Sequence, residues 1–198
     1  MPFKPVLFAL TALSSLLAWP AWATAPAPQA IATVQGFADY LTQPRTNIGA
    51  KTPADLQAQE QWLAQALIAK LRQAVTAVEQ ARKLPEVEGP DPRVPDNGSV
   101  LDSWELPSHC AARPAAQKTN RKNTVQLLCS WGPQTNYAGL KRRYTLQLIQ
   151  VDGDYKVLDI VGHKNAYAPE SAPLSQRLQA LEDEAAELTR QSNQQAPN

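Results

Sequence analysis

The tripeptide Ser108-His109-Cys110 places two nucleophiles beside a base. A serine or cysteine becomes a strong nucleophile when an imidazole within hydrogen-bonding reach accepts its proton. Neighbouring side chains on a β-strand point to opposite faces, so on a strand His109 cannot readily serve either neighbour. We therefore favour a partly exposed strand histidine over a catalytic one, and the sequence assigns no catalytic residue.

Carboxylates are concentrated in residues 85–103, which also contain several prolines. Asp91, Asp96 and Asp102 could crowd the mouth of a pocket, where like charges raise the pKa of one carboxyl and permit acid–base chemistry. The alternative is an irregular, solvated connector whose acids keep it soluble. We take these three aspartates, and Trp104 just after them, as candidate residues for binding a ligand or a partner.

Asp159 is the fifth candidate. On a regularly alternating strand it would share a face with Tyr155, Val157 and Val161. A carboxylate that faces inward among apolar neighbours needs a partner, so Asp159 is the best single pocket residue if that face lines the interior. If the face points outward, Asp159 is an ordinary surface residue.

Metal-binding patterns are missing from the sequence. His109 and His163 are the only histidines, they fall near opposite ends of the predicted sheet segment, and neither His-x-Glu nor Cys-x-x-Cys occurs. We expect no metal site and no cofactor.

Residues 1–23 have the layout of a secretory signal peptide. Lys4 gives a positive start, residues 6–18 are apolar and uncharged, and Ala21 and Ala23 occupy the small-residue positions before a cleavage site. The apolar stretch is shorter than the roughly 20 residues that a membrane-spanning helix needs. We expect cleavage after Ala23 and, without a twin arginine or a nearby lipid-attachment cysteine, a product free in the periplasm or secreted.

Cys110 and Cys129 are the only cysteines, and a cysteine pair behind an export signal most often forms one disulfide. The two residues are symmetric about Thr119-Asn120, so a hairpin centred there would place them opposite each other. Opposed residues in a non-hydrogen-bonded pair lie about 4.5 Å apart at Cα, within reach of a disulfide. A reactive, unpaired cysteine is the alternative.

The charge balance argues against two classes of partner. Removing Lys4 leaves 18 Lys and Arg, one fewer than the 19 of the chain, against 18 Asp and Glu. A neutral chain of about 175 residues suits one domain and lacks the excess charge that draws proteins to nucleic acid or anionic lipid. Its basic residues at 118–122 and 141–143 should fall at opposite ends of a sheet. We expect neither nucleic-acid binding nor a membrane span.

Apolar residues at helical spacing predict three helices. The first follows a leader at 24–29, the second runs unbroken from Pro53 to Leu84, and the third covers 171–191 before a disordered tail at 192–198. The third helix has one narrow apolar seam, formed by Leu174, Leu178, Leu181, Ala185 and Leu188. We expect this seam to dock on the sheet. The alternative is that it pairs with a second copy to give a weak dimer.

Between the helices the apolar period changes to two, which predicts strands at 108–113, 124–131, 143–151 and 154–161. The last two meet at Asp152-Gly153, a strong hairpin signal because a type I′ turn needs positive φ at both central positions. The predicted fold is one α+β domain at 30–165, with N-terminal helices packed on a curved, cone-like antiparallel sheet, plus an extra C-terminal helix.

This order of elements, closing with the sequence GDYKVLDI at 153–160, resembles the nuclear-transport-factor-two-like, or cystatin-like, superfamily. The resemblance implies a sheet that wraps a long helix into a cone. More narrowly, residues 62–71, 92–104 and the last strand are similar to exported bacterial members of unknown function, although Tyr155 stands where many members have Trp. Catalytic members use Asp, His or Tyr pairs in the cone, and none can be matched here residue by residue.

We therefore expect an exported, non-enzymatic module that binds a ligand or a protein partner through its cone pocket or its acidic loop. Exported bacterial proteins similar to this branch include candidates for neutralising secreted antibacterial effectors, so the resemblance implies an immunity-like role. The alternatives are an enzyme of the same fold that uses Asp159 or His109 with a pocket carboxylate, and an envelope protein that self-associates through its C-terminal helix.

Overall fold

The computed structural model describes residues 27–43, 53–81, 83–84, 99–101, 106–115 and 123–195. The predicted signal peptide and four of the five candidate binding residues, namely Asp91, Asp96, Asp102 and Trp104, lie outside the described residues. The predicted fold class is confirmed: helices lie before and after a four-stranded antiparallel sheet that is curved and not closed.

The sheet is a meander whose strands adjoin in chain order, and each strand lies within two residues of its predicted bounds. The strands are β1 (His109–Pro114), β2 (Thr124–Ser130), β3 (Lys141–Val151) and β4 (Asp154–Gly162). Asp152 and Gly153 between β3 and β4 have φ values of 52° and 90°. Positive φ at both positions is what a type I′ turn requires, so the predicted hairpin is confirmed.

A bulge interrupts β4. Asp159 pairs with Gln147, whereas Val157 pairs with the next residue of β3, which leaves Leu158 as the extra residue. As a result Val157 and Ile160 are both fully buried, and Asp159 faces away from them. The predicted regular alternation, which placed Asp159 on the same face as Val157, is wrong because of this inserted residue.

The first and last helices differ from prediction at their ends. The first begins inside the predicted leader, because proline suits the first turn of a helix, and the last continues through most of the predicted tail. A 3₁₀ turn, Ser99–Leu101, lies in the predicted irregular loop and buries Val100 and Leu101. The α-helices are α1 (Pro28–Thr42), α2 (Pro53–Gln59), α3 (Gln65–Ala81) and α4 (Leu174–Gln195).

The predicted unbroken second helix is two helices, because residues 60–64 leave the helical path to pair with the sheet. The Ala64 N–H donates to the Val157 carbonyl at 2.8 Å, and the Val157 N–H donates to the Trp62 carbonyl at 2.8 Å. These bonds form a short parallel bridge along the outer edge of β4. They give an edge strand partners that a continuous helix could not supply. The Trp62 indole fits against Gly36 of α1, where a Cβ would lie 2.5 Å from the ring.

The opposite edge of the sheet is covered by a side chain. Gln35 of α1 donates from Nε2 to the Cys110 carbonyl at 3.1 Å and accepts the Ala112 N–H at Oε1 at 2.8 Å. Its amide thus occupies the place of a peptide group on a neighbouring strand. Strand β1 therefore does not offer these two groups to another chain.

Cys110 and Cys129 form the predicted disulfide. They are direct partners in the register of β1 and β2, and their Cα atoms lie 4.1 Å apart. Because Cys110 turns its carbonyl outward to Gln35, the two cysteines form a non-hydrogen-bonded pair, the position at which opposed Cα atoms come closest. The predicted register is confirmed with the bridge.

The helices bury one face of the sheet, where Tyr144, Leu146 and Leu148 of β3 belong to the hydrophobic core. Helix α4 packs mainly along α3, so the expectation that it docks on the sheet holds only near its start, where Ser175 contacts β4. Leu174 and Leu178 of its apolar seam are buried in this packing. No described helix is both long and apolar enough to cross a membrane.

Replacing both Cys110 and Cys129 with serine is predicted to lower the free energy of unfolding by about 3 kcal/mol, because the bridge closes a loop between residues 19 apart and restricts the unfolded chain. Urea unfolding followed by tryptophan fluorescence measures the change. The Ala111→Ser variant, on the same strand but outside the bridge, should stay close to wild type. A loss under about 1 kcal/mol would contradict this account.

Candidate functional site

Asp159 joins β4 to the start of α4. Its Oδ1 accepts the Ser175 backbone N–H at 3.1 Å, and its Oδ2 accepts the Ser175 hydroxyl at 2.5 Å. Oδ1 also accepts the N–H of Ile160 at 2.9 Å. Both carboxylate oxygens are therefore engaged by groups of the fold.

These bonds give Asp159 the role of a helix cap. The first N–H groups of an α-helix have no partner within the helix, and Pro173, which precedes α4, has no side-chain acceptor to offer them. Asp159 supplies that acceptor from a different element, and its negative charge lies at the positive end of the helix dipole. The bulge that reverses the face of Asp159 thus assigns the residue to α4 instead of a pocket.

His109 and Asp159, the two residues that the enzyme hypothesis names, do not lie close enough to pair with each other. His109 is exposed at the start of β1, and Cys110 beside it is buried in the disulfide, as the alternation predicts. Strands β1 and β4 are opposite edges of the sheet. Three strand spacings of about 4.8 Å separate the two strands by roughly 14 Å. The register offsets the residues further, because His109 aligns with Lys141 of β3 and Asp159 aligns with Gln147. The two side chains are therefore too far apart to act on the same atom.

His163 continues the ladder beyond β4. Its N–H donates to the Arg143 carbonyl at 2.8 Å, and its Nε2 lies 2.7 Å from the Thr145 hydroxyl. Burial, together with the positive charge of Arg143 and more weakly of Arg142, lowers the pKa of His163 below its ordinary value of 6.5, against an opposing effect of the Glu170 carboxylate. From the sequence alone, the one role considered for His163 is that of a metal ligand.

On the helix-covered side of the sheet, Phe37, Ile68, Leu146 and Ile160, from two helices and two strands, are fully buried. Among the described residues, no group of three His, Cys, Asp or Glu side chains could hold a metal ion.

A groove of about 370 Å³ lies open to solvent between α3 and α4. Its lining includes Arg72, whose guanidinium is already paired with Glu60, and Glu182 of α4. The other lining residues, Gln73, Thr76, Ala77 and Gln80, do not titrate. The groove therefore brings together no pair of groups suited to acid–base or nucleophilic chemistry.

The other face of the sheet, which we call the outer face, is formed by the odd-numbered residues of β3 and their cross-strand partners. Arg143, Ile149 and Val151 are exposed along β3, and Thr145 and Gln147 between them are half-buried. The large hydrophobic side chains exposed among the described residues are Ile149 (39%), Val151 (42%) and Tyr167 (79%). Two lie at the hairpin end of the outer face, and the third lies on the loop after β4.

This loop is held by Asn165. Its Oδ1 accepts the N–H groups of Tyr167 at 2.9 Å and Ala168 at 2.7 Å, its own N–H donates to the Ala168 carbonyl at 2.9 Å, and its Nδ2 donates to the Lys141 carbonyl at 3.1 Å. Tyr167 is thereby displayed on a hydrogen-bonded turn. Sequence analysis missed Tyr167, although asparagine two residues before it is a known signal for a turn closed by its side chain.

Replacing Asp159 with alanine is predicted to cost about 1 kcal/mol of stability, the usual effect of removing a helix cap. Amide hydrogen exchange should rise in the first turn of α4, and Ser175→Ala should have a smaller effect because one bond to Asp159 remains. Asp154→Ala, an exposed aspartate on the same strand, is the control. Equal stability of the Asp159 and Asp154 variants would show that the carboxylate does not cap α4.

Stability is predicted to fall as the pH drops below 6.5. Because the folded state lowers the pKa of His163, the unfolded chain binds more protons in the range between the two pKa values, and unfolding becomes easier there. Urea unfolding between pH 5 and 8 measures the slope. His163→Gln should reduce it and His109→Gln, an exposed control, should not; the opposite result would contradict the assignment.

Comparison of the chain with protein-family models, with curated proteins and with solved structures gave no match. The resemblance to the nuclear-transport-factor-two-like superfamily therefore stays a prediction from the sequence.

Proposed function

We propose that the protein is an exported, non-enzymatic module that binds a protein partner outside the cytoplasm through the outer face of its sheet. In its concrete form the proposal follows the resemblance: the chain acts as an immunity-like protein that neutralises a secreted antibacterial effector. Export depends on the signal peptide at 1–23, with cleavage after Ala23.

The exposed apolar residues on the outer face carry this proposal. Ile149 and Val151 lie on a paired strand of a sheet pinned by a disulfide. Side chains on such a rigid surface lose little conformational freedom when a partner covers them, so more of the contact free energy remains as affinity. Gln147, half-buried beside Ile149, provides hydrogen-bonding groups for a mixed interface.

Contacts at the two sheet edges favour docking on the face. Gln35 occupies part of the β1 edge and residues 62–64 occupy part of the β4 edge. Addition of a partner strand to either edge would have to displace these bonds. The uncovered face requires no such displacement.

Charge favours a different protein over a second copy. The described residues of the outer face and its β4 border include four cations and two carboxylates. The cations are Arg113, Lys141, Arg143 and Lys156. The carboxylates are Asp154 and Asp159, and Asp159 is already engaged with α4. Two identical faces of this kind would bring like charges together at a cost in free energy. The seam of α4, the other candidate for self-association, is buried against the chain's own core at Leu174 and Leu178.

The test uses the protein encoded next to this chain, which we expect to be a secreted antibacterial protein. Directed to the periplasm of a test strain, that protein should stop growth, and co-production of the full-length chain should restore it. A chain without residues 1–23 should stay in the cytoplasm and fail to protect. A harmless neighbour, or toxicity that the full-length chain does not relieve, would overturn the immunity-like role.

Binding of the same neighbouring protein to the purified chain tests the surface. Ile149→Lys combined with Val151→Lys should weaken binding of that neighbouring protein at least about tenfold, equal to about 1.4 kcal/mol. Ala69→Lys combined with Gln73→Lys adds the same charge to exposed positions of α3 and should bind normally. Equal binding by both double variants, with unchanged urea unfolding, would show that the outer face is not the binding surface.

A further inference from the structure

We propose that one end of the outer face, together with the loop after β4 that borders it, recognises an acidic segment of the partner protein, with Tyr167 as the anchor; this inference rests on the proposed function and names its partner chemistry. We call this surface the cationic corner and define it by Lys141, Arg143, Lys164 and Tyr167. All four side chains are exposed.

Backbone hydrogen bonds assemble the corner. Lys141 and Arg143 alternate along β3 and therefore share the outer face. The segment after β4 is tied to the same two residues, because His163 donates to the Arg143 carbonyl at 2.8 Å and Asn165 donates to the Lys141 carbonyl at 3.1 Å. Lys164 lies between these two attachments along the chain, and its side chain is exposed.

The corner has an excess of positive charge that nothing in the described residues neutralises. Its three cations form no ion pair with a described carboxylate, and Glu170, the acid that acts on His163, is the nearby opposing charge. Three cations against one carboxylate leave a formal excess of +2 at this corner, although the whole chain carries only +1. Acids are instead frequent on α4, in the run Glu182, Asp183, Glu184 and Glu187. This separation of charge would orient an acidic partner toward the corner.

Tyr167 has the features of an interface anchor. Its side chain is 79% exposed, yet its backbone is fixed by Asn165 through the bonds at 2.9 Å and 2.7 Å. Tyrosine and arginine are the residue types most often found to dominate binding energy, because each combines a broad contact surface with hydrogen-bond donors. The phenol O–H of Tyr167 and the guanidinium of Arg143 can both donate to carboxylates.

The geometry favours a protein over lipid or nucleic acid. Recognition of anionic lipid typically uses clusters of four to eight basic residues, and nucleic-acid affinity grows with each phosphate contacted. A set of three exposed cations and one exposed tyrosine is smaller than such a cluster. It suits a short peptide with a few carboxylates, which arginine can bind through two parallel hydrogen bonds.

The experiment selects phage-displayed random 15-residue peptides on the oxidised wild-type protein. We expect the selected peptides to be rich in Asp and Glu and to bind less tightly as salt is raised. The Lys141→Glu/Arg143→Glu variant and the Tyr167→Ala variant should each weaken binding at least tenfold, and Tyr167→Phe should keep part of the affinity. Lys70→Glu/Lys83→Glu, with the same change of charge on and just after α3, is the control.

Selection of peptides without acidic residues, or binding that the corner variants leave unchanged, would overturn the inference. So would binding of phosphatidylglycerol vesicles or a DNA duplex by a protein that selects no acidic peptide. The two proposals fail separately. If the adjacent-gene protein binds wild type and corner variants equally, the proposed function stands and the role of the corner is overturned. If acidic peptides bind the corner but the adjacent-gene protein does not bind the chain, the corner stands as an acidic-peptide site and the proposed function is overturned.

Discussion

The unpaired backbone groups at the two edges of the sheet are the constraint on which the rest of the structure depends. A four-stranded meander leaves one row of N–H and C=O groups on each outer strand, and such rows invite pairing with other chains. At the β4 edge, residues 62–64 supply a bridge, and this requirement separates α2 from α3. At the β1 edge, Gln35 bonds two peptide groups, which fixes how α1 lies against the strand.

The bulge in β4 has a comparable influence on the other end of the molecule. The inserted Leu158 lets Val157 and Ile160 both enter the core, and it turns Asp159 toward α4. One extra residue therefore converts a carboxylate that regular alternation would direct inward into the cap of a 22-residue helix. It also gives the buried face a continuous apolar surface without an acid in it.

Local signals predicted much of this fold. The period-two pattern and Asp152-Gly153 located the strands and the hairpin, and the symmetric spacing of Cys110 and Cys129 predicted both the bridge and its register. What could not be predicted depends on partners distant in sequence. Residues 60–64 fit a helical pattern and leave it only because Val157 offers two peptide groups, and the face of Asp159 depends on an insertion that apolar spacing does not reveal.

For the candidate site too, the properties of single residues could be predicted, but contacts between residues distant in sequence could not. Sequence reasoning ranked residues by chemistry, so it chose carboxylates and histidines and passed over Tyr167, whose importance comes from exposure and from the turn around Asn165. Asp159 was chosen for a chemical property that its hydrogen bonds to Ser175 already use. The remaining acidic candidates lie outside the described residues.

The groups that occupy the two sheet edges, Gln35 and residues 62–64, are synthesised before the strands whose edges they occupy. A ribosome makes the chain from its N-terminus, and Gln35 precedes Cys110 by 75 residues, just as Trp62 and Ala64 precede Val157. When each outer strand emerges, the group that will occupy its edge has already been synthesised. The interval in which an outer strand could instead pair with a neighbouring molecule is thereby limited to the time that folding itself takes.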